Sequence, residues 1–106
     1  MINRVVIAGR LAQDLELKKT ASGKSVCSFT IAVNRDKNTA DFINCVAWNK
    51  TAESLTQYMK KGDMICVDGK LQTRSYDGVN GKVHVVEVVA DFIEYLRQKG
   101  KEELPF

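Results

Sequence analysis

Residues Asp41 to Trp48 alternate in character, and at Asn49 the alternation gives way to a helical period. A strand that runs straight into the only long helical pattern of a 106-residue chain constrains the fold strongly, because the helix must start where that strand ends. Side chains alternate between the faces of a strand, so Phe42, Asn44, Val46 and Trp48 share one face and Ile43, Cys45 and Ala47 the other. The second face is small and apolar and suits a core. The first carries two large rings around an amide and leads into Lys50. At a rise of about 3.3 Å per residue, its rings stand roughly 20 Å apart. Aromatic platforms spaced along a cationic surface suit a flexible polyanion with flat rings. Two rings of one parity also suit a core, and this strand alone does not choose.

The helix is predicted to open at Asn49 or Lys50, with Asn49 able to cap it and Glu53 in the first turn. Ala52, Leu55 and Met59 form its inward stripe. Lys60, Lys61 and Gly62 close it. The rest is β-rich. Asn3 to Leu11 is a run broken by Gly9, which marks a bulge or a close backbone approach. Asp14 to Lys18 is a short charged extension, and Thr20 to Lys24 a turn by composition. From Val26 to Asn34, Cys27, Phe29, Ile31 and Val33 alternate with small or polar residues, predicting a half-buried strand. Arg35 to Thr39 is a polar loop.

Met64 to Thr73 reads as a strand with Ile65, Val67, Gly69 and Leu71 facing in. Asp68, Lys70, Gln72 and Arg74 face out, and the parity carries on to Tyr76. Asp77-Gly78 and Asn80-Gly81 are both hairpin signals, and two so close together predict a longer, mobile tip. Val83 to Ile93 has valines on both parities, which predicts a strand covered on both faces. Glu94 to Lys99 reads as a short helical or frayed end. The order is three strands, one helix, then two strands. An all-β, five-stranded bent barrel with one α-helix between strands three and four is the OB-fold arrangement, which binds oligonucleotides across strands two and three and nearby loops.

Other chemistries find little support. Cys27, Cys45 and Cys66 are odd in number and widely spaced, which argues against a disulfide framework or a Cys-x-x-Cys motif and for buried free thiols in a reducing compartment. His84 is the single histidine. No phosphate-cradling Gly-x-x-x-x-Gly-Lys and no Gly-x-Ser-x-Gly elbow occurs. The acids Asp41, Asp68, Asp77 and Asp91 are scattered, so no metal, no cofactor and no enzyme activity is expected. Val5 to Ala8 is too short for a signal-peptide core, and no run is long enough to span a bilayer, so no membrane association is expected and the expected address is the cytoplasm. Net charge is +3, and Glu102 and Glu103 lie at the very end, so the body is more basic than the total.

Read together, several pieces resemble the bacterial single-stranded DNA-binding protein family, in a compact form with a very short C-terminal tail. They are Asn3 to Leu11, Phe29 to Arg35, Asp41 to Asn44, Trp48 with Lys50, Lys61-Gly62, Gly69 to Tyr76 and Glu87 to Ala90. The likeness covers nearly all of residues 1–97, predicting a single-stranded DNA-binding domain there and a short flexible tail over 98–106. The resemblance implies a non-enzymatic protein that coats and protects single strands without regard to sequence and removes hairpins during DNA replication, recombination and repair. It implies base stacking on Phe42, Trp48 and Tyr76. Arg10, Arg35, Lys50, Lys70 and Arg74 are the expected phosphate neighbours. A further aromatic of the family falls at about Lys37, where this chain offers a cation instead.

The resemblance also implies a homotetramer in the bacterial cytoplasm or nucleoid. The end, Glu102-Glu103-Leu104-Pro105-Phe106, resembles the family's acidic tip, which docks replication, recombination and repair proteins. Its acidic run is short and the family's usual long linker is missing, which limits reach. The residues do not choose between a host gene and one from a phage, plasmid or mobile element. Two alternatives stay open: an OB-fold adaptor acting through protein partners, and an RNA-binding module, since stacking platforms do not by themselves distinguish DNA from RNA.

Overall fold

The computed structural model describes residues 1–97, and Arg97 by its backbone alone. Its elements in chain order are β1 (Val5–Leu11), β2 (Lys18–Lys19), β3 (Ser25–Asn34), β4 (Ala40–Trp48), α1 (Asn49–Tyr58), β5 (Met64–Gly78) and β6 (Gly81–Arg97). The five long strands close a ring: β1 pairs with β5, β5 with β6, β6 with β4, β4 with β3, and β3 with β1. All of these pairings are antiparallel except β4 with β6, which is parallel. Closure leaves few free strand edges. The two-residue β2 is an addition to the predicted set and pairs with the start of β3. Among the described residues no helix is long and apolar enough to cross a membrane.

The core follows the predicted parities. Cys27, Phe29 and Ile31 of β3, Cys45 and Ala47 of β4, Ile65 and Val67 of β5 and Val88 of β6 are buried together. Ala52, Leu55 and Met59 pack into the same cluster, as their helical spacing predicts. Burying a side chain the size of Phe29 contributes about 1.5–3 kcal/mol before cavity costs are counted. Gly9 is the close approach expected of it: a β-carbon there would strike the carbonyl oxygen of Ala32 where β1 crosses β3.

Five expectations need correcting. Asn49 does not cap α1; it is already the first helical residue, in the left-handed region at φ 54°, a conformation asparagine tolerates better than most residues. Nor is Glu53 in the first turn: with α1 starting at Asn49 that turn holds no acid, and the Glu53 carboxylate instead accepts a 2.7 Å hydrogen bond from the Ser25 hydroxyl. The helix ends at Tyr58, before the Lys60 to Asp63 turn, where the buried Asp63 carboxylate accepts from the Lys60 amide at 2.8 Å. Cys66 is only partly buried, although Cys27 and Cys45 are fully so, and all three are free. Glu94 to Arg97 is not helical but continues β6; residues 98 and 99 of that predicted end lie outside the described residues.

The largest departure is the β5–β6 hairpin. Its pairing runs from Met64↔Arg97 out to Gly78↔Gly81, so the turn is the minimal two residues Val79-Asn80 rather than a longer tip. Gly81 takes φ 113° there, and Asp77-Gly78 stays in the strand. The hairpin outruns the barrel. Beyond Gly69 and Val88 it has no core to cover, so Leu71 and Val86, predicted to be covered, are exposed.

Candidate nucleic-acid interface

Residues that face each other across a strand pair project to the same side of the sheet, so the register assigns faces. On β4, Asn44 stands opposite Thr30 and Trp48 opposite Val26 of β3. Val46 pairs with Val89 of β6, and Val89 with Lys70 of β5. Further along the hairpin, Gln72 faces Glu87, Arg74 faces Val85 and Tyr76 faces Val83. The outer row of β4 and the outer row of β5 therefore lie on one continuous outer face, with β6 between them. The two site-like rows of the sequence come together here.

The rings on this face are open to solvent: Phe42 is 67%, Tyr76 50% and Trp48 39% exposed, whereas Phe29 of the opposite parity is 2% exposed. That contrast rejects a core role for Phe42 and Trp48. Val46, of the same parity, is buried. Between the rings lies a shallow cleft of about 220 Å³, lined among others by Gln13, Ser28, Thr30, Asn44, Arg74 and Glu87. The Thr30 hydroxyl donates to the Asn44 side-chain oxygen at 3.2 Å, which leaves the Asn44 amide N–H groups directed elsewhere. A second cleft, of about 380 Å³, adjoins it and is lined by Gln13, Asp14, Glu16, Lys18, Val26 and Ser28.

The predicted cations divide by partner. Arg35 makes a two-pronged ion pair with Asp41, with Nε 3.3 Å from Oδ2. Asp41 holds the guanidinium pKa above its already high ordinary value. Arg74 Nε donates to Glu87 Oε1 at 2.9 Å, and its guanidinium lies 5.9 Å from the centre of the Tyr76 ring. Arg10 donates to the Gly62 carbonyl at 3.1 Å. Lys50 and Lys70 are exposed and hold no ion pair among the described residues. Lys37 is exposed in the β3–β4 loop, which is closed by the Arg35 amide on the Thr39 carbonyl. The tip residues Glu102 to Phe106 lie outside the described residues.

Sequence reasoning missed Glu87, and with it the polar floor of the cleft. The signal was present, because Val85, Glu87 and Val89 share a parity and one acid among valines is conspicuous; its partner needed the register. Burial and the nearby Glu87 charge push the Cys45 thiol up to about 12, so it stays neutral beneath the site. Among the described residues no three His, Cys, Asp or Glu converge as metal ligands.

Comparison with known proteins settles the family. The single-strand binding protein family matches residues 2–96. A single-stranded DNA-binding protein of Oceanobacillus iheyensis is 50% identical over 96% of this chain and 68% of its own length. Those of Halalkalibacterium halodurans and Bacillus cereus are 48% and 47% identical, over 96% and 94% of this chain and 65% and 63% of theirs. This chain belongs to the single-strand binding protein family. The closed five-strand ring with one helix between β4 and β5 is that family's OB-fold, and family membership marks a binding protein rather than an enzyme. The chain spans about two thirds of the length of these relatives.

Proposed function

We propose that this protein binds single-stranded DNA without regard to sequence, coats and protects it, and removes hairpins during replication, recombination and repair. Family membership supports the ligand. The observation that carries the site is the set of three exposed rings, Phe42, Trp48 and Tyr76, on one outer face with Lys70, with Lys50 just past Trp48 at the start of α1 and neither lysine in an ion pair among the described residues. Every base has a flat face, so stacking at about 1–3 kcal/mol per base discriminates little between sequences. Phosphates pass Lys50, Lys70, Arg10 and Arg35, each contact adding a salt-dependent increment. Hairpin removal follows from mass action: a ligand of the open strand pulls the duplex equilibrium toward it.

In this reading residues 1–97 are the DNA-binding domain and residues 98–106 a tail whose Glu102 to Phe106 tip docks replication, recombination and repair proteins. The protein assembles as a homotetramer in the bacterial cytoplasm or nucleoid. Exposed Val6 on β1 and Phe92 on β6 favour assembly, since both flank Asp68 on one cross-strand row of the outer wall. Competition among oligo(dT), oligo(U) and a duplex of equal length tests the ligand. Preference for oligo(dT) over both supports it; equal or stronger binding of oligo(U) would move the function to RNA, and binding of none would leave protein docking as the main task.

A further inference from the structure

Two arginines of the proposed DNA face are held by carboxylates, in unequal settings. Arg35 pairs with Asp41, whose side chain is 43% exposed, while Arg74 pairs with Glu87, whose side chain is only 11% exposed. Stripping a water-accessible carboxylate of its partner is cheap, because solvent replaces the lost contact. Stripping one that is nearly buried on the floor of a narrow cleft leaves a charge that water solvates poorly. A passing phosphate can therefore draw Arg35 away from Asp41 but not Arg74 from Glu87.

Arg74 has a second contact. It lies against the Tyr76 ring, two residues along the same face of β5, at 5.9 Å from the ring centre. A cation at this distance is attracted to an aromatic face and limits the ring's rotation. Glu87 reaches Arg74 from the neighbouring strand, where it stands opposite Gln72. Glu87, Arg74 and Tyr76 thus form a chain of contacts from the cleft at the edge of the core, where Phe29 and Cys45 also line it, out along the hairpin to the stacking ring.

We propose that Glu87 is a positioning residue: it keeps Arg74 out of phosphate binding and holds it against Tyr76, so that the ring is pre-set for a base. This rests on Tyr76 being a stacking platform. Ordering a ring before binding removes part of the entropy cost of ordering it afterwards. Arg74 then contributes through Tyr76, without releasing counterions.

The test is the salt dependence of oligo(dT) affinity, read by anisotropy of the labelled strand. Each phosphate contact to a single strand adds about 0.7 to the slope of log K against log salt. Arg35→Gln flattens the slope by about that amount. Arg74→Gln weakens binding several-fold at every salt concentration, leaves the slope unchanged, and adds nothing in a Tyr76→Ala background. Glu87→Gln, which keeps the side-chain shape, steepens the slope by about 0.7, and adding Arg74→Gln reverses the gain. In the free protein, the Arg74 Nε–H resonance persists at mildly alkaline pH and is lost in Glu87→Gln. A slope flattened by Arg74→Gln as much as by Arg35→Gln overturns the proposal, as does an Nε–H resonance indifferent to Glu87. A wild-type protein that binds oligo(dT) while Tyr76→Ala costs nothing overturns instead the reading of Tyr76 on which it rests.

Discussion

Within one hairpin, β5 and β6 change role at Gly69. On the barrel side, Ile65, Val67, Val88 and Ala90 are buried against the core. On the far side, Leu71, Tyr76, Val83 and Val86 are exposed, although the pairing, after a register shift between Asp68 and Gly69, runs regularly from Gly69↔Ala90 to Gly78↔Gly81. Strand propensity is similar in both halves, and the valines are as apolar beyond the barrel as within it. What differs is whether another layer lies against the strand. One half is therefore held by packing and the other by its ladder and cross-strand pairs, which suits it to carrying a binding surface without staking the fold on it.

Substitutions across the junction give the largest contrast. Ile65→Ala should cost about 2–5 kcal/mol of stability, because it opens a cavity in a packed core. Leu71→Ala, six residues further along the same strand face, should stay within about 0.5 kcal/mol. Denaturant unfolding of both variants measures the difference, and equal losses would mean that the outer hairpin is covered in solution. Gly69→Ala should fall between them, at roughly 1–3 kcal/mol, since a β-carbon there would run into the Val89 carbonyl oxygen at the register shift.

The next effects are on binding. Tyr76→Ala in the outer half should weaken oligo(dT) affinity by about 1–3 kcal/mol with the unfolding midpoint unchanged. Lys70→Ala should flatten the salt slope by about 0.7 and be nearly silent at high salt.

Two smaller effects probe the barrel half chemically. Burial raises the pKa of Cys27, and that of Cys45 to about 12, so neither forms thiolate near neutral pH. An aromatic disulfide reagent at pH 8 should react first with the partly exposed Cys66, and with the other two only as the protein unfolds. On the barrel wall, Arg4 holds the Asp68 carboxyl below the usual carboxylate range through its hydrogen bonds. A lowered folded-state value makes the contribution full above about pH 4 and lost as pH falls through the folded value. Asp68→Asn should remove that small acid-side slope from stability against pH and change little at neutrality.

Parity carried most of the fold. The alternations at Cys27 to Ile31 and Phe42 to Trp48, and the stripe Ala52, Leu55, Met59, are local patterns, and the packed structure obeys them. What escaped sequence reasoning depended on distance through space. Nothing local in Leu71 or Val86 says that the barrel closes just short of them. Arg74 meets Glu87 only through the β5–β6 register, and Arg35 finds Asp41 because the loop between β3 and β4 folds back on itself. Asn49 has the residue type of a cap and the position of a junction; the turn from β4 into α1 decided which it became. The stacking residues were legible because exposure and aromaticity conflict and parity exposed the conflict. Their ion-paired neighbours were legible as cations but not as partners.

The central claim is that the β4 face stacks on DNA, and Trp48 reports on it directly because it is the chain's single tryptophan. Titration of its fluorescence with poly(dT), at low and high salt, is the decisive measurement. The account predicts strong quenching that saturates at a fixed number of nucleotides per protomer and survives high salt better than the electrostatic part of the affinity. Tight binding of poly(dT) with the Trp48 emission unchanged would contradict it and take the strand off this face.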